Sequence, residues 1–104
     1  MAEAALMLDF YGALLTPRSV ETMSLYYNED LSLAEIAYHF DISRQSVHDT
    51  LKRGRRQLLD YESKLGLVAK ARCRRSCIEQ INSALLAGDI DQVYIHLQHM
   101  AELE

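Results

Sequence analysis

Residues Leu31 to Leu65 read LSLAEIAYHFDISRQSVHDTLKRGRRQLLDYESKL, and the reading of this stretch decides the fold. Its hydrophobic residues recur first as Leu33, Ile36, Ala37 and Phe40, the three- and four-residue steps of a short amphipathic helix. Asp41-Ile42 breaks that period as a turn, with Ile42 placed to plug the angle between two helices. Val47, Leu51, Gly54, Leu58, Tyr61 and Leu65 then restore it along a longer helix from Arg44 to Leu65, roughly 33 Å at 1.5 Å per residue. Ser32, with Glu35 three residues later, has the spacing of a capping box worth about 1 kcal/mol. Ser43 caps the second helix, and Gly66 supplies its C-terminal stop. Gly54 costs about 1 kcal/mol against Ala in a helix interior. Its place on the inward stripe, like that of Ala37, therefore points to close helix approach. A short helix, a tight turn and a long helix make a helix-turn-helix.

The chain before this unit reads as its support. Ala2 to Leu15 carries Leu6, Met7, Phe10 and Leu14 at the spacing of one helical face. Thr16-Pro17 opens a further helix, Thr as cap and Pro at a first position that needs no N–H partner. Val20, Met23 and Tyr27 give that helix its buried stripe, Glu21 complements its dipole, and Asn28-Glu29-Asp30 ends it. The chain after Gly66 reads as an extension. Val68 to Ala87 forms a fifth helix with Ala71, Ile78, Ile81 and Leu85 on one face. Gly88-Asp89 then turns the chain into a sixth, carrying Ile90, Val93, Tyr94, Leu97 and Met100. The fold expected is all-α, with no strand and no wing. Residues 1–66 form a helical support plus helix-turn-helix, and 67–104 an extension packed on it that offers a dimerisation surface.

Composition excludes several classes. A chain of 104 residues with 49% hydrophobic residues, one Pro and no low-complexity run is a folded domain rather than a disordered tail. No apolar run approaches the roughly 20 residues that span a bilayer, and the acidic start MAEAALMLDFYG is not a secretion signal, so the expected compartment is the cytoplasm. Two cysteines, Cys73 and Cys77, are too few for a disulfide framework. Net charge is −4, but its distribution is more informative than its sum. Residues 44–75 hold ten of the eleven Lys and Arg against three acids, a local +7; residues 1–43 stand at −6 and residues 76–104 at −5.

That basic middle falls on the helix-turn-helix. With Val47 and Leu51 turned inward, the outward residues at the start of the long helix are Arg44, Gln45, Ser46, His48, Asp49 and Lys52, with Ser43 at the cap. Arg and Gln match purine edges in a major groove, and Ser bonds to base or phosphate. Arg53, Arg55 and Arg56 lie one to two turns further, placed for phosphates. The plainer alternative is that all of these are the solvated face of a long helix. Asp49 stands against the nucleic-acid reading unless it accepts from cytosine or is neutralised along the helix by Lys52 or Arg53.

Other chemistry is thin. Cys73 and Cys77, spaced by four, lack a second ligand pair for zinc, and His96 and His99 are equally weak as metal ligands. No glycine-rich phosphate loop, activated nucleophile or paired carboxylate stands out, so neither an enzyme nor a bound cofactor is expected.

The run LTPRSVETMSLYYNEDLSLAEIAYHFDISRQSVHDTLKR, from Leu15 to Arg53, resembles the fourth region of bacterial sigma factors, a helix-turn-helix that reads promoter DNA. Together with LDFYGALLTP before it and YESKLGL after it, the chain is more similar still to the YlxM-like family of small bacterial proteins, encoded beside components of the signal recognition particle. The resemblance covers about two thirds of the chain; the tail with CRRSC and HLQHM is outside it. It implies a DNA-binding regulator with recognition positions Ser43, Arg44, Gln45, Ser46, His48, Asp49 and Lys52, connected with the signal recognition particle pathway. The alternatives are an accessory that binds the particle's RNA or protein and a protein-interaction module without DNA affinity. Helix-turn-helix units often place Gly at the turn position held here by Asp41, and the chain lacks the other sigma regions.

Overall fold

The computed structural model describes residues 2–103 and is helical throughout, with no strand among them. Helix α1 spans Ala2–Tyr11 and runs into a single 3₁₀ turn, Gly12–Leu14; α2 is Pro17–Tyr27, α3 Leu33–Phe40, α4 Arg44–Leu65, α5 Leu67–Ala87 and α6 Ile90–Glu102. The chain divides into two compact units, residues 1–66 and 67–104.

In the first unit α1, α2 and α3 all pack on α4. Its core is Ala4, Met7, Leu8, Tyr11, Leu15, Met23, Ile36, Ala37, Val47, Leu51 and Leu58, all buried. Each junction is built by local hydrogen bonds. The Thr16 hydroxyl oxygen accepts from the Ser19 N–H at 3.3 Å, with Pro17 in the first helical position. Ser32 and Glu35 close a reciprocal capping box, the Glu35 N–H on the Ser32 hydroxyl at 3.1 Å and the Ser32 N–H on the Glu35 carboxylate at 3.0 Å. The Ser32 backbone N–H first, and the Ser32 hydroxyl second, hold the Glu35 carboxyl below its ordinary range. Gly66 ends α4 in the left-handed region, φ 63°, and its N–H reaches the Glu62 carbonyl at 2.9 Å.

Two inward faces differ from those the periodicity predicts. In α1 and the turn that follows it the buried residues are Ala4, Met7, Leu8, Tyr11 and Leu15, whereas Phe10 and Leu14 are exposed and Leu6 is half-buried. The true face is turned by about one residue, or 100°. The segment is apolar nearly all round, so pattern carries little information there. The 3₁₀ turn at Gly12–Leu14, with three residues per turn, then rotates Leu14 outward. In α2 the buried residues are Ser19, Thr22 and Met23, with Val20 and Tyr27 only half-buried. Hydroxyls can occupy this interior because they are satisfied within their own turn. The Thr22 hydroxyl donates to the Arg18 carbonyl at 2.7 Å, and Ser19 accepts from the Thr16 hydroxyl at 2.9 Å.

The second unit is a hairpin of α5 and α6. Gly88, at φ 73°, turns the chain, and the Asp89 carboxylate caps α6 by accepting from the Gln92 N–H at 3.2 Å. Among the described residues of this unit only Val68 and Ala84 are buried, while Val93, His96 and Met100 are half-buried. The faces expected for both helices are therefore only partly covered: Ile78, Leu85, Ile90, Tyr94 and Leu97 stand exposed. Cys73 is exposed and Cys77 half-buried, both as free thiols. Among the described residues no group of three or more His, Cys, Asp or Glu is arranged to hold a metal ion, and no helix is long and apolar enough to cross a membrane.

Candidate nucleic-acid interface

The turn between α3 and α4 sets the geometry of the site. Asp41 sits in the left-handed region at φ 55°, and its neighbour's N–H, on Ile42, reaches back to the Ala37 carbonyl at 3.0 Å. That six-to-one bond closes a Schellman-type end to α3 and redirects the chain within three residues. Ile42 is half-buried at the bend, and Ser43 starts α4 by accepting from the Ser46 N–H at 3.0 Å. Behind the turn the Arg18 guanidinium lies over the Phe40 ring, 4.2 Å from its centre, tying the start of α2 to the end of α3. Ile36 and Ala37 of α3 and Val47 and Leu51 of α4 fill the angle.

All ten residues singled out from the sequence are exposed: Ser43, Arg44, Gln45, Ser46, His48, Asp49, Lys52, Arg53, Arg55 and Arg56. At about 100° per residue they do not form one stripe. Gln45, Asp49, Lys52, Arg53 and Arg56 share the arc opposite the buried stripe. Arg44, His48 and Arg55 line one flank, and Ser46 lies on the other. The Ser43 hydroxyl is already engaged as the cap, so this residue serves the helix start rather than projecting along the face.

The partners of Asp49 differ from those expected. Its carboxylate accepts from the Gln45 side-chain amide at 2.9 Å and stands 3.6 Å from His48 Nδ1, rather than pairing with Lys52 or Arg53. The short amide four residues back reaches the carboxylate directly. Lys52, Arg53 and Arg56 surround Asp49 in a shallow depression, so the carboxylate lies among three cations without a direct ion pair to them. The contact also orients Gln45: one N–H points to Asp49, leaving the other N–H and the carbonyl oxygen for a purine edge.

Periodicity also carried a signal that the sequence reading passed over. Tyr38 is 90% exposed on α3, three residues ahead of the turn at Asp41. It lies opposite Ile36, Ala37 and Phe40, and an aromatic ring left in water beside a helix-turn-helix is placed to meet a backbone or a partner.

An αL-capped turn, a small inward Ala37 and a solvent-facing second helix define a helix-turn-helix protein. Residues 2–97 match the model of the family UPF0122, described as "Putative helix-turn-helix protein, YlxM / p13 like". The chain belongs to that family. It is 62% identical over 94 residues to a UPF0122 protein of Acetivibrio thermocellus, covering 89% of this chain and 75% of the relative. A UPF0122 protein of Desulforamulus reducens is 53% identical over 78 residues, covering 74% of this chain and 67% of that one. One from Geobacillus sp. strain WCH70 is 42% identical over 98 residues, covering 92% and 89%.

Proposed function

We propose that this protein is a DNA-binding regulatory module of the cytoplasm, not an enzyme, that works as a homodimer and lays the start of α4 in the major groove. The observation that carries the reading is the coincidence of the Asp41 turn with an α4 whose exposed arc and flanks carry Arg44, Gln45, Lys52, Arg53, Arg55 and Arg56, all open to solvent. Gln45 and Arg44 would meet base edges, while Lys52, Arg53, Arg55 and Arg56 take phosphates. Four phosphate contacts correspond to a slope of about −3.6 in log K against log salt. Titration of a duplex with salt tests this, and no binding to any duplex at low salt would overturn it.

Asp49 favours a second reading. A carboxylate at the centre of the face opposes close major-groove docking wherever no cytosine amino group meets it, whereas the wide minor groove of RNA can be held by the outlying cations through phosphates and 2′-hydroxyls. An accessory to the signal recognition particle that binds its structured RNA would use the same cations in that way. Competition between duplex DNA and structured RNA at equal salt separates the two readings, since an RNA accessory retains the RNA.

A further inference from the structure

We infer that Cys73 and Cys77 of α5, with Met100 of α6, form a three-sulfur site for a soft monovalent metal ion of the Cu(I) class. The inference stands apart from the nucleic-acid reading, which leaves the CRRSC segment without a role. Both cysteines are free thiols, Cys73 exposed and Cys77 half-buried. Four residues apart on a regular helix, they lie about 40° from each other in projection, with the buried Ala84 between them. Both therefore border the side of α5 that meets α6.

The hairpin supplies the third sulfur. Its register is read from the groove along one side, whose walls run through Ala87, Ala84 and Gln80 on α5 and through Asp89, Gln92 and His96 on α6. One turn further toward the open end, the same register sets Cys77 level with Met100. Met100 is half-buried and lies about 20° from Val93, on the side of α6 that faces α5.

Ligand chemistry selects the metal. Cβ atoms four residues apart on a helix stand about 5–6 Å from each other, whereas a disulfide needs about 3.5–4.5 Å. Within an intact α5 the two thiols therefore do not join directly. Two metal–sulfur bonds of about 2.3 Å span up to roughly 4.6 Å between sulfurs, which suits that spacing. Zinc would take four ligands in a tetrahedron. Among the described residues no His, Asp or Glu completes a set of three with the cysteines. Two thiolates and a thioether are soft donors of the kind that select Cu(I). On binding, two S–H bonds break, two Cu–S bonds form and both protons leave to solvent. The complex carries one negative charge, and Lys70 and Arg74, within about 60° of Cys77 on the same helix, offset it.

The test uses the full chain, reduced and free of oxygen, titrated with Cu(I) against the chelator bathocuproine disulfonate. The chain is expected to withdraw one Cu(I) per molecule from the chelator, with X-ray absorption showing three sulfur neighbours. Loss of an outer-shell partner already costs a metal site about 10–100-fold. Cys73→Ser and Cys77→Ser should therefore each weaken binding by about a hundredfold or more, and Met100→Leu by about tenfold, at unchanged helix content by circular dichroism. Zn(II) in equal amount should leave the copper in place. No transfer from the chelator, a single-cysteine variant that holds copper as tightly as wild type, or one Cu(I) per two chains would overturn the inference. So would displacement of the copper by zinc, or wild-type affinity in Met100→Leu.

Discussion

Replacing Gly54 by Ala sets two physical effects of similar size against each other. In an exposed helix Ala would gain about 1 kcal/mol over Gly. Here a Cβ at position 54 falls 2.5 Å from Met23 Sδ and 3.4 Å from its terminal methyl. Met23 is fully buried, so the sulfur has to move about 1 Å through packed neighbours, or α2 has to shift from α4. Overpacking of this kind costs about 1–3 kcal/mol, softened by the flexibility of a thioether. The expected net result is destabilisation by about 1 kcal/mol, a fall in Tm of roughly 4–8 °C for a domain of this size. Denaturant unfolding of Gly54→Ala, Met23→Ala and the double variant measures it. Met23→Ala alone should cost about 2–5 kcal/mol by leaving a cavity. The added methyl should then be accommodated, so the double variant costs less than the sum of the singles by about 1 kcal/mol or more. A Gly54→Ala protein more stable than wild type, or additive singles, would refute the close α2–α4 contact.

Asp41→Gly should raise stability by a few tenths to about 1 kcal/mol and Asp41→Val lower it by more, because φ 55° suits Gly and strains a β-branched residue; thermal melts decide. The Tyr27 hydroxyl is buried without a hydrogen-bond partner, so Tyr27→Phe should be neutral or stabilising by about 1 kcal/mol in urea, and a clear loss would reveal a partner. Asp49→Asn should tighten binding to a mixed-sequence duplex about fivefold, near 1 kcal/mol, by removing a negative charge from among Lys52, Arg53 and Arg56; anisotropy reads it, and weaker binding would count against the face. The Glu35 carboxyl is held below its ordinary range in the fold by its two bonds with Ser32. Its contribution is therefore complete above the unfolded carboxyl value and lost as pH falls through the lower folded value. Glu35→Gln should flatten that limb of the stability–pH curve, and an unchanged limb would show that the capping box contributes nothing there.

Legibility in the sequence followed the kind of information each element carries. Helices α3 and α4 and the turn between them were readable because each boundary has a chemical mark: Ser32 with Glu35, Asp41, Ser43 and Gly66. The inward faces of α1 and α2 were not, because nearly uniform hydrophobicity hides the face of α1 and self-satisfied hydroxyls at Ser19 and Thr22 imitate surface residues. The exposure of all ten candidate interface residues followed from the spacing of Val47 and Leu51. Their division into an arc and two flanks follows from the same helical period, whereas the choice of Gln45 over Lys52 as the partner of Asp49 depends on side-chain reach that periodicity does not encode.

Helix α4 also behaves as a lever. Its middle is pinned at Gly54 against Met23, and its far end is held where the Tyr11 hydroxyl donates to the Glu62 carboxylate. Arg44 lies ten residues from Gly54, about 15 Å along a stiff rod, so a tilt of about 5° swings it by roughly 1.3 Å. Hydrogen bonds to a base edge tolerate only about half an ångström. On the proposed reading of α4 as a groove-binding helix, substitutions at Tyr11 or Glu62 are thus expected to change which bases are preferred, through the leverage of this helix rather than through any contact of their own.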